Sequence, residues 1–393
     1  MLNFFPPEKK ERLGIGVLSG TSVDGIDVGL VKLHGAGSQA RPVLLAFQTY
    51  PIELEIRNLI LTNLNPEKAS LPALSQLNFL IGKIFADAVK KLIRESGFFP
   101  TEIDFVASHG QTFWHQPEPL QMAGYPICST FQLGEGSVMA NELGILTISD
   151  FRTAELSLGA EGAPLAPFLD YLLFGHSRKK RALLNIGGMS NLTAMRENCE
   201  KSDVIFFDAG PGNVLIDKAA AHFFGEPFDK NAEFSKRGKS SPPLLNKLLL
   251  ENFYQKKPPK STGRELFSDA YFQNILAFPE CKTLARYDIL ATLTELTSEV
   301  IFRQYEAFVA PKFQINELIV SGGGAENPLI MQRLKEKFAF ATVLKQDDLH
   351  ASPIPAKAKE AVLFAVLGNE LLSGQSASMR TSAMLGKISL PPA

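Results

Sequence analysis

Cysteine is scarce. Three occur in 393 residues, Cys128, Cys199 and Cys281, and they lie far apart. They form no CxxC pair and no disulfide framework, which fits a reducing compartment. Tryptophan occurs once, as Trp114. Neither sign of charge dominates: 40 Lys+Arg stand against 41 Asp+Glu, a formal charge of −1. That balance removes the electrostatic case for a dedicated nucleic-acid or anionic-membrane binder. No apolar run approaches the ~20 residues needed to cross a bilayer. The N-terminus runs apolar first and charged second, the reverse of a secretory signal. These absences predict a cytoplasmic protein with no nucleic-acid and no membrane partner. Two nucleotide signatures are missing as well. There is no G-x-x-x-x-G-K-[ST], and no G-x-G-x-x-G after a strand with an acid ~20 residues on. P-loop enzymes and Rossmann dehydrogenases are thereby disfavoured.

What is present is a globular composition, 45% hydrophobic and 21% charged, long enough for two domains of roughly 150–200 residues. Leu13 to Ser19, Ile26 to Leu33 and Pro42 to Tyr50 read as strands joined by tight turns, an antiparallel meander. Leu71 to Ser96 carries leucines and isoleucines at helical spacing, with Gly97 as a stop. Shorter strands are expected at 104–108, 128–133, 145–149, 181–186, 204–208 and 318–321, and helices at 137–143 and 213–224. Strands that end in glycine-rich loops recur in both halves, which suits an α/β protein with ligands at strand ends.

Three such loops stand out. Glycine lets backbone N–H groups approach a phosphate without Cβ interference. Gly20, Thr21, Ser22, Val23, Asp24 and Gly25 add two hydroxyls and a carboxylate, followed by Ile26 and Asp27. The plainer reading is a hairpin turn. Asp208-Ala209-Gly210-Pro211-Gly212-Asn213 is the second, with Asn213 as an N-cap in its plainer reading. Gly322, Gly323 and Gly324, followed by Asn327 and Pro328, form the third, wide enough for a flat nucleoside. Its plainer reading is a turn with Asn327 capping a helix. Asp24, Asp27 and Asp208 are candidate Mg²⁺ carboxylates. Ser108 to His115 is a polar, aromatic loop after a strand. Its two histidines lack a third ligand at metal spacing, so a sugar-binding or structural role is expected instead of zinc. Asp150, Arg152, Glu155 and Glu161 form the segment richest in ionisable groups, offering general bases and a cationic partner.

Taken together and in order, these motifs resemble the anhydro-N-acetylmuramic acid kinases. The residues are Gly16 to Asp27, Ser108 to Thr112 with His115, Asp150-Phe151-Arg152 and Gly162 to Leu165. Asn185-Ile186-Gly187-Gly188 with Asn191, Asp208 to Asn213, Lys260 to Glu265, and Gly322 to Gly324 with Asn327-Pro328 complete the series. The resemblance implies an α/β chain with the two-domain actin-like ATPase (ribonuclease H-like) fold and an interdomain cleft. The boundaries expected are 1–150 and 151–374, with a tail of 375–393 packing on the first domain.

The resemblance also implies an ATP-dependent sugar kinase of cell-wall (muropeptide) recycling that uses Mg²⁺. Its reaction opens 1,6-anhydro-N-acetylmuramic acid with water and phosphorylates O6, giving N-acetylmuramic acid 6-phosphate and ADP. The nucleotide would meet Gly20 to Asp27, Asp208, Gly210, Gly212, Asn213, Gly322, Gly323, Gly324 and Asn327. The sugar would meet His109, Gln111, Thr112, Arg152, Asn185, Gly187 and Gly188. Glu155 would be the water-activating base, with Glu161 able to share the role. The chain departs from the family pattern there: Glu155 replaces an Asp, Ala160-Glu161 replaces Gly-Gln, and Ala209 replaces Thr. A related kinase with a changed sugar, or an ATP-binding regulator without turnover, are the alternatives, and a homodimer is the default assembly.

Overall fold

The computed structural model describes residues 10–20, 22–263, 266–349 and 354–393. They gather into two compact units: Met1–Leu173 with Pro353–Ala393, and Phe174–Ser352.

The first unit opens with β1 (Glu11–Ser19), β2 (Gly25–His34) and β3 (Arg41–Pro51), the antiparallel meander that the alternating residues predict. Helices α1 (Leu54–Asn63) and α2 (Leu71–Glu95) follow. The Ser70 hydroxyl caps α2 by accepting from the Ala73 amide, and Gly97, at φ +75°, lets the chain leave. Next come β4 (Phe105–Met122), β5 (Tyr125–Leu133), α3 (Gly136–Leu143), β6 (Thr147–Ser149), α4 (Thr153–Ser157) and α5 (Ala166–Phe174). The second unit holds β7 (Arg181–Ile186), β8 (Met189–Met195), β9 (Ile205–Pro211), α6 (Val214–Phe224), α7 (Pro242–Leu248) and α8 (Asp269–Leu276). It continues with α9 (Arg286–Phe308), β10 (Glu317–Ser321), α10 (Pro328–Lys337) and β11 (Thr342–Lys345). The chain then returns to the first unit with α11 (Lys359–Leu372) and β12 (Lys387–Ser389).

The sheets run β12-β6-β4-β1-β2-β3, with β5 paired to β4, and β11-β10-β7-β8-β9. Without β5 and β12, both read third-second-first-fourth-fifth. In each, the first three strands are antiparallel and the last two run parallel to the first. This duplicated order is that of the actin-like ATPase, ribonuclease H-like fold.

Alternation along β1 sorts its two faces. Ile15 and Val17 join Leu77, Ile81 and Phe85 of α2 in one core. Gly14 and Gly16 face the other way. A Cβ on Gly16 would lie 1.7 Å from the Ala361 carbonyl oxygen, so only glycine lets α11 lie on the strand. That contact explains why the division of the chain differs from the expected 150/151 and 374/375. Residues 151 to 173 and α11 pack with Phe105, Ala107 and Ile148 in a core of the first unit.

A second difference concerns Ser108 to His115, expected as a loop. They lie within β4, which continues to Met122 and pairs antiparallel with β5, with register shifts at Thr112/Trp114 and Gln116/Leu120. Gly187-Gly188 is the turn of a β7–β8 hairpin, because Asn191 to Met195 pair back onto β7.

Candidate functional site

In the first unit the turn after β1 is closed by the Val23 amide donating to the Gly20 carbonyl at 3.1 Å. Arg57 of α1 clamps it from outside. Its Nε donates to the Val23 carbonyl (3.1 Å), and its Nη2 to the Ser22 carbonyl (3.3 Å) and Asp24 Oδ1 (3.0 Å). Asp24 is therefore ion-paired, and its side chain is exposed. Asp27 lies on β2, where Oδ1 accepts from Thr49 Oγ1 at 2.5 Å. Burial pushes its carboxyl above the ordinary range, against the pull of Thr49. Ser19 Oγ, beside this turn, is buried and bonds to nothing among the described residues. Thr21 lies outside the described residues, as do Arg264 and Glu265.

Arg152 centres the second cluster of this unit. Its Nε donates to His109 Nε2 at 3.0 Å and its Nη1 to the Gly162 carbonyl at 2.7 Å. Since Nε2 accepts, the His109 proton sits on Nδ1, 3.2 Å from the Gly110 carbonyl. Burial, and then the Arg152 charge, hold His109 well below its ordinary pKa; the same two causes push His115 down to about 4. Both rings are neutral at physiological pH. Burial lowers Arg152 itself to about 10, opposed by the charges of Glu360 and then Glu155. Gln111 is 1% exposed and its Oε1 has no partner among the described residues, an acceptor suited to a ligand hydroxyl. Thr112 follows it on β4 and accepts at its carbonyl from Gln111 Nε2 (3.4 Å).

The two expected bases are already engaged. Glu155 is 5% exposed, and its Oε1 accepts from Ser378 Oγ. Glu161 Oε2 pairs with Arg380 Nη1 at 2.5 Å. Both partners come from the segment after α11. Glu360, at the start of α11, is the acid that sequence reasoning missed. It is exposed to solvent. Its carboxyl is raised, by incomplete hydration first and the Asp27 charge second, against the charges of Arg152 and Lys359.

In the second unit the remaining loops converge at the ends of β7 and β10. The Gly212 amide donates to the Gly188 carbonyl (2.8 Å), Asn213 to Gly187 (2.8 Å) and Val214 to Gly188 (3.1 Å). The amides that open α6 are thus engaged with the neighbouring turn. The Asn213 side chain donates to the Ile186 carbonyl (3.4 Å) and does not cap α6. Gly210 holds φ +154°, with Tyr254 and Val300 packed where a Cβ would stand. Gly322, at φ +81°, leaves no room for a Cβ beside the Ile186 carbonyl and Asn185 Oδ1, and Asn213 approaches Gly323 and Gly324. Asn185 Oδ1 accepts from Ser321 Oγ at 3.4 Å. Asn327 takes its plainer part, accepting from the Leu329 and Ile330 amides at the start of α10. Beyond the triple glycine lies a cavity of about 560 Å³, lined by Ala325, Glu326, Met331, Gln332 and Lys335 among others. The sugar candidates therefore divide: His109, Gln111, Thr112 and Arg152 lie in one unit, and Asn185, Gly187 and Gly188 among the glycine-rich loops of the other.

Asp208 lies within β9. Its Oδ2 accepts from Ser261 Oγ and from the Thr262 amide, both at 2.9 Å. Lys260, one residue before, is buried, and burial lowers its ammonium to about 8 against the pull of Asp208.

Residues 12–386 match the family model described as anhydro-N-acetylmuramic acid kinase. The chain belongs to the anhydro-N-acetylmuramic acid kinase family. Proteins of that name are similar over nearly its whole length. The one from Caldanaerobacter subterraneus subsp. tengcongensis is 38% identical, covering 97% of this chain and 98% of that one. The one from Clostridioides difficile is 36% identical, covering 96% and 98%. A solved structure, the Acidaminococcus fermentans (R)-2-hydroxyglutaryl-CoA dehydratase component A, is similar over 92% of this chain and 99% of that one, at 10% identity and a TM-score of 0.43.

As an anhydro-N-acetylmuramic acid kinase family member the chain is an ATP-dependent sugar kinase, and Mg²⁺ is the metal to test against its residues. No group of three or more metal-ligating side chains exists among the described residues. Mg²⁺ keeps waters and takes one or two carboxylates together with phosphate oxygens, so a single oriented carboxylate such as Asp208 fits that mode. Among the described residues no helix is long and apolar enough to cross a membrane.

Beyond Glu360 and Arg57, sequence reasoning also missed Thr297, whose Oγ1 donates to the Gly212 carbonyl at 2.8 Å. Arg57 and Thr297 carry no local motif; only the folded chain brings them to the loops they hold.

Proposed function

We propose that this chain opens 1,6-anhydro-N-acetylmuramic acid with water and transfers the γ-phosphoryl group of ATP to the freed O6. Water adds to C1, the C1–O6 bond breaks, and O6 takes the phosphoryl group as ADP leaves. The products are N-acetylmuramic acid 6-phosphate and ADP. The purine would lie in the cavity beyond Gly322 to Gly324, and Ser19 Oγ would donate to a phosphate. Asp208 would hold Mg²⁺ alongside the phosphates, where the ion neutralises developing charge.

The observation that carries the reading is the electrostatic setting of Arg152, a half-buried guanidinium opposed by Glu360 and Glu155. Glu155 is bound by Ser378 and Glu161 by Arg380. Glu360 is solvent-accessible and its carboxyl is raised above the ordinary carboxylate range, the direction that favours a general base for water. We assign the proton transfer to Glu360, with Glu155 orienting the segment that carries Arg152. Arg152 would bind the sugar beside the orphaned Gln111 acceptor.

The test follows ADP release with the anhydro-sugar and identifies the phosphorylated product by mass spectrometry, in ¹⁸O water to mark C1. Glu360→Gln is expected to lose about 10²–10⁴-fold in kcat, as removal of a general base does. Glu155→Gln is expected to lose less. A wild-type protein that makes no phosphorylated sugar sinks the function; an active Glu360→Gln sinks the assignment alone.

The Glu161–Arg380 pair favours a second reading, since it occupies the segment that departs from the family pattern. It predicts a related kinase acting on another anhydro-sugar, which a substrate panel separates. We place the reaction in the cytoplasm, where ATP and Mg²⁺ are available, and expect a homodimer, which sedimentation velocity checks.

A further inference from the structure

Lys260 spends its charge in an unusual place. Its ammonium stands 4.7 Å from the Phe253 ring centroid, 5.1 Å from Phe308 and 6.0 Å from Phe207. It donates to the Phe253 carbonyl (3.2 Å) and to Gln304 Oε1 (2.5 Å). Gln304 is fixed in turn, since its Nε2 donates to the Tyr254 carbonyl at 3.1 Å. Burying an ammonium is costly unless rings and acceptors compensate it. A methionine of similar length would fill such an apolar cage without that cost.

What the charge secures is the segment's position. The Lys260 carbonyl accepts from the Asp208 amide at 3.1 Å, so backbone and side chain of one residue tie this segment to β9 and α9. The next two residues supply both donors to Asp208 Oδ2. We propose that Lys260 is a positioning residue for Asp208: the caged ammonium fixes the segment that holds this carboxylate for the nucleotide. The inference rests on the reading of Asp208 as the Mg²⁺ and phosphate carboxylate.

The test is calorimetric binding of Mg·ATP to the full chain, with hydrogen exchange at the Thr262 amide as a second readout. Lys260→Met is expected to fold, to bind Mg·ATP about tenfold more weakly, as loss of a supporting partner does, and to exchange the Thr262 amide faster. Lys260→Arg, which keeps the charge, is expected to recover part of both. In turnover, KM for ATP should rise while KM for the sugar stays. Unchanged affinity and unchanged Thr262 exchange in Lys260→Met overturn the proposal. Should that variant fail to fold, Gln304→Leu, which removes one acceptor, takes its place with the same expected and overturning results. Asp208→Asn separates the two ideas. If it binds Mg·ATP like wild type, the reading of Asp208 falls and the proposal with it. If it alone is weakened, the reading stands and the proposal falls.

Discussion

Protonation of Glu360 sets the acid limb of the proposed reaction. A base must be ionised to take the water proton, so the rate rises with pH through its pKa. Incomplete hydration and the Asp27 charge hold that pKa above the ordinary 4.5. The acid limb of kcat/KM is therefore expected above pH 4.5. Asp27→Asn, which removes a like charge, is expected to move the limb down, and pH–rate profiles of the two proteins check the direction. A limb that stays in place means that another group titrates. At this scale the sequence was legible where a motif was continuous. His109 and Arg152 lie in separate motifs, and the fold joins them by a hydrogen bond. Glu360 was not legible, because its meaning comes from Asp27 and Arg152, both far from it along the chain. Glu155 differs in the opposite way. Its place in the motif is right, but Ser378, from the far end of the chain, claims its carboxylate.

Among elements, α11 depends on an absence. Gly16 leaves the gap into which the Ala361 carbonyl fits, and Gly29 and Gly368 lie at the same interface with β2 and β4. Gly16→Ala is expected to cost about 1–3 kcal/mol or more, the range for forcing atoms into a packed core. Urea denaturation measures it as a lower midpoint. Wild-type stability in that variant would mean that helix and strand separate more easily than their packing indicates. The meander β1 to β3 was legible because three short apolar runs are separated by tight turns. β4 was truncated in the sequence because Gly110 and a run of polar residues look like a loop; pairing with β5 keeps them extended. α9 is not legible in the sequence for a chemical reason. Thr292, Thr294, Thr297 and Ser298 interrupt its apolar pattern, yet all four are buried. Three of the four hydroxyls return bonds to the carbonyl four residues earlier within 3.3 Å, so the helix carries them inside at little cost.

For the whole molecule, the duplicated strand order was legible only as glycine loops that recurred in both halves. The order itself is set by long-range pairing that no local pattern records. The place where the first unit resumes was equally hidden, since it depends on the fit of α11. If the nucleotide binds the folded chain alone, Mg·ATP at 100 times its Kd is expected to raise stability by about 2.7 kcal/mol. Differential scanning calorimetry reads this as a higher Tm, and an unshifted Tm would count against nucleotide binding.

The route of the chain has a consequence for its synthesis. Residues 174–352 form a unit whose sequence is uninterrupted, whereas the other unit is assembled from both ends of the chain. A ribosome delivers every strand of the β1 meander early but releases α11 and β12 last. Until then the glycine-lined strip under α11 stays open, although residues 151 to 173 can already pack on Phe105, Ala107 and Ile148. The inserted unit can finish folding while the first-made one is still waiting, so a nascent chain stalled before residue 359 would hold one completed half and one open apolar surface for chaperones to shield.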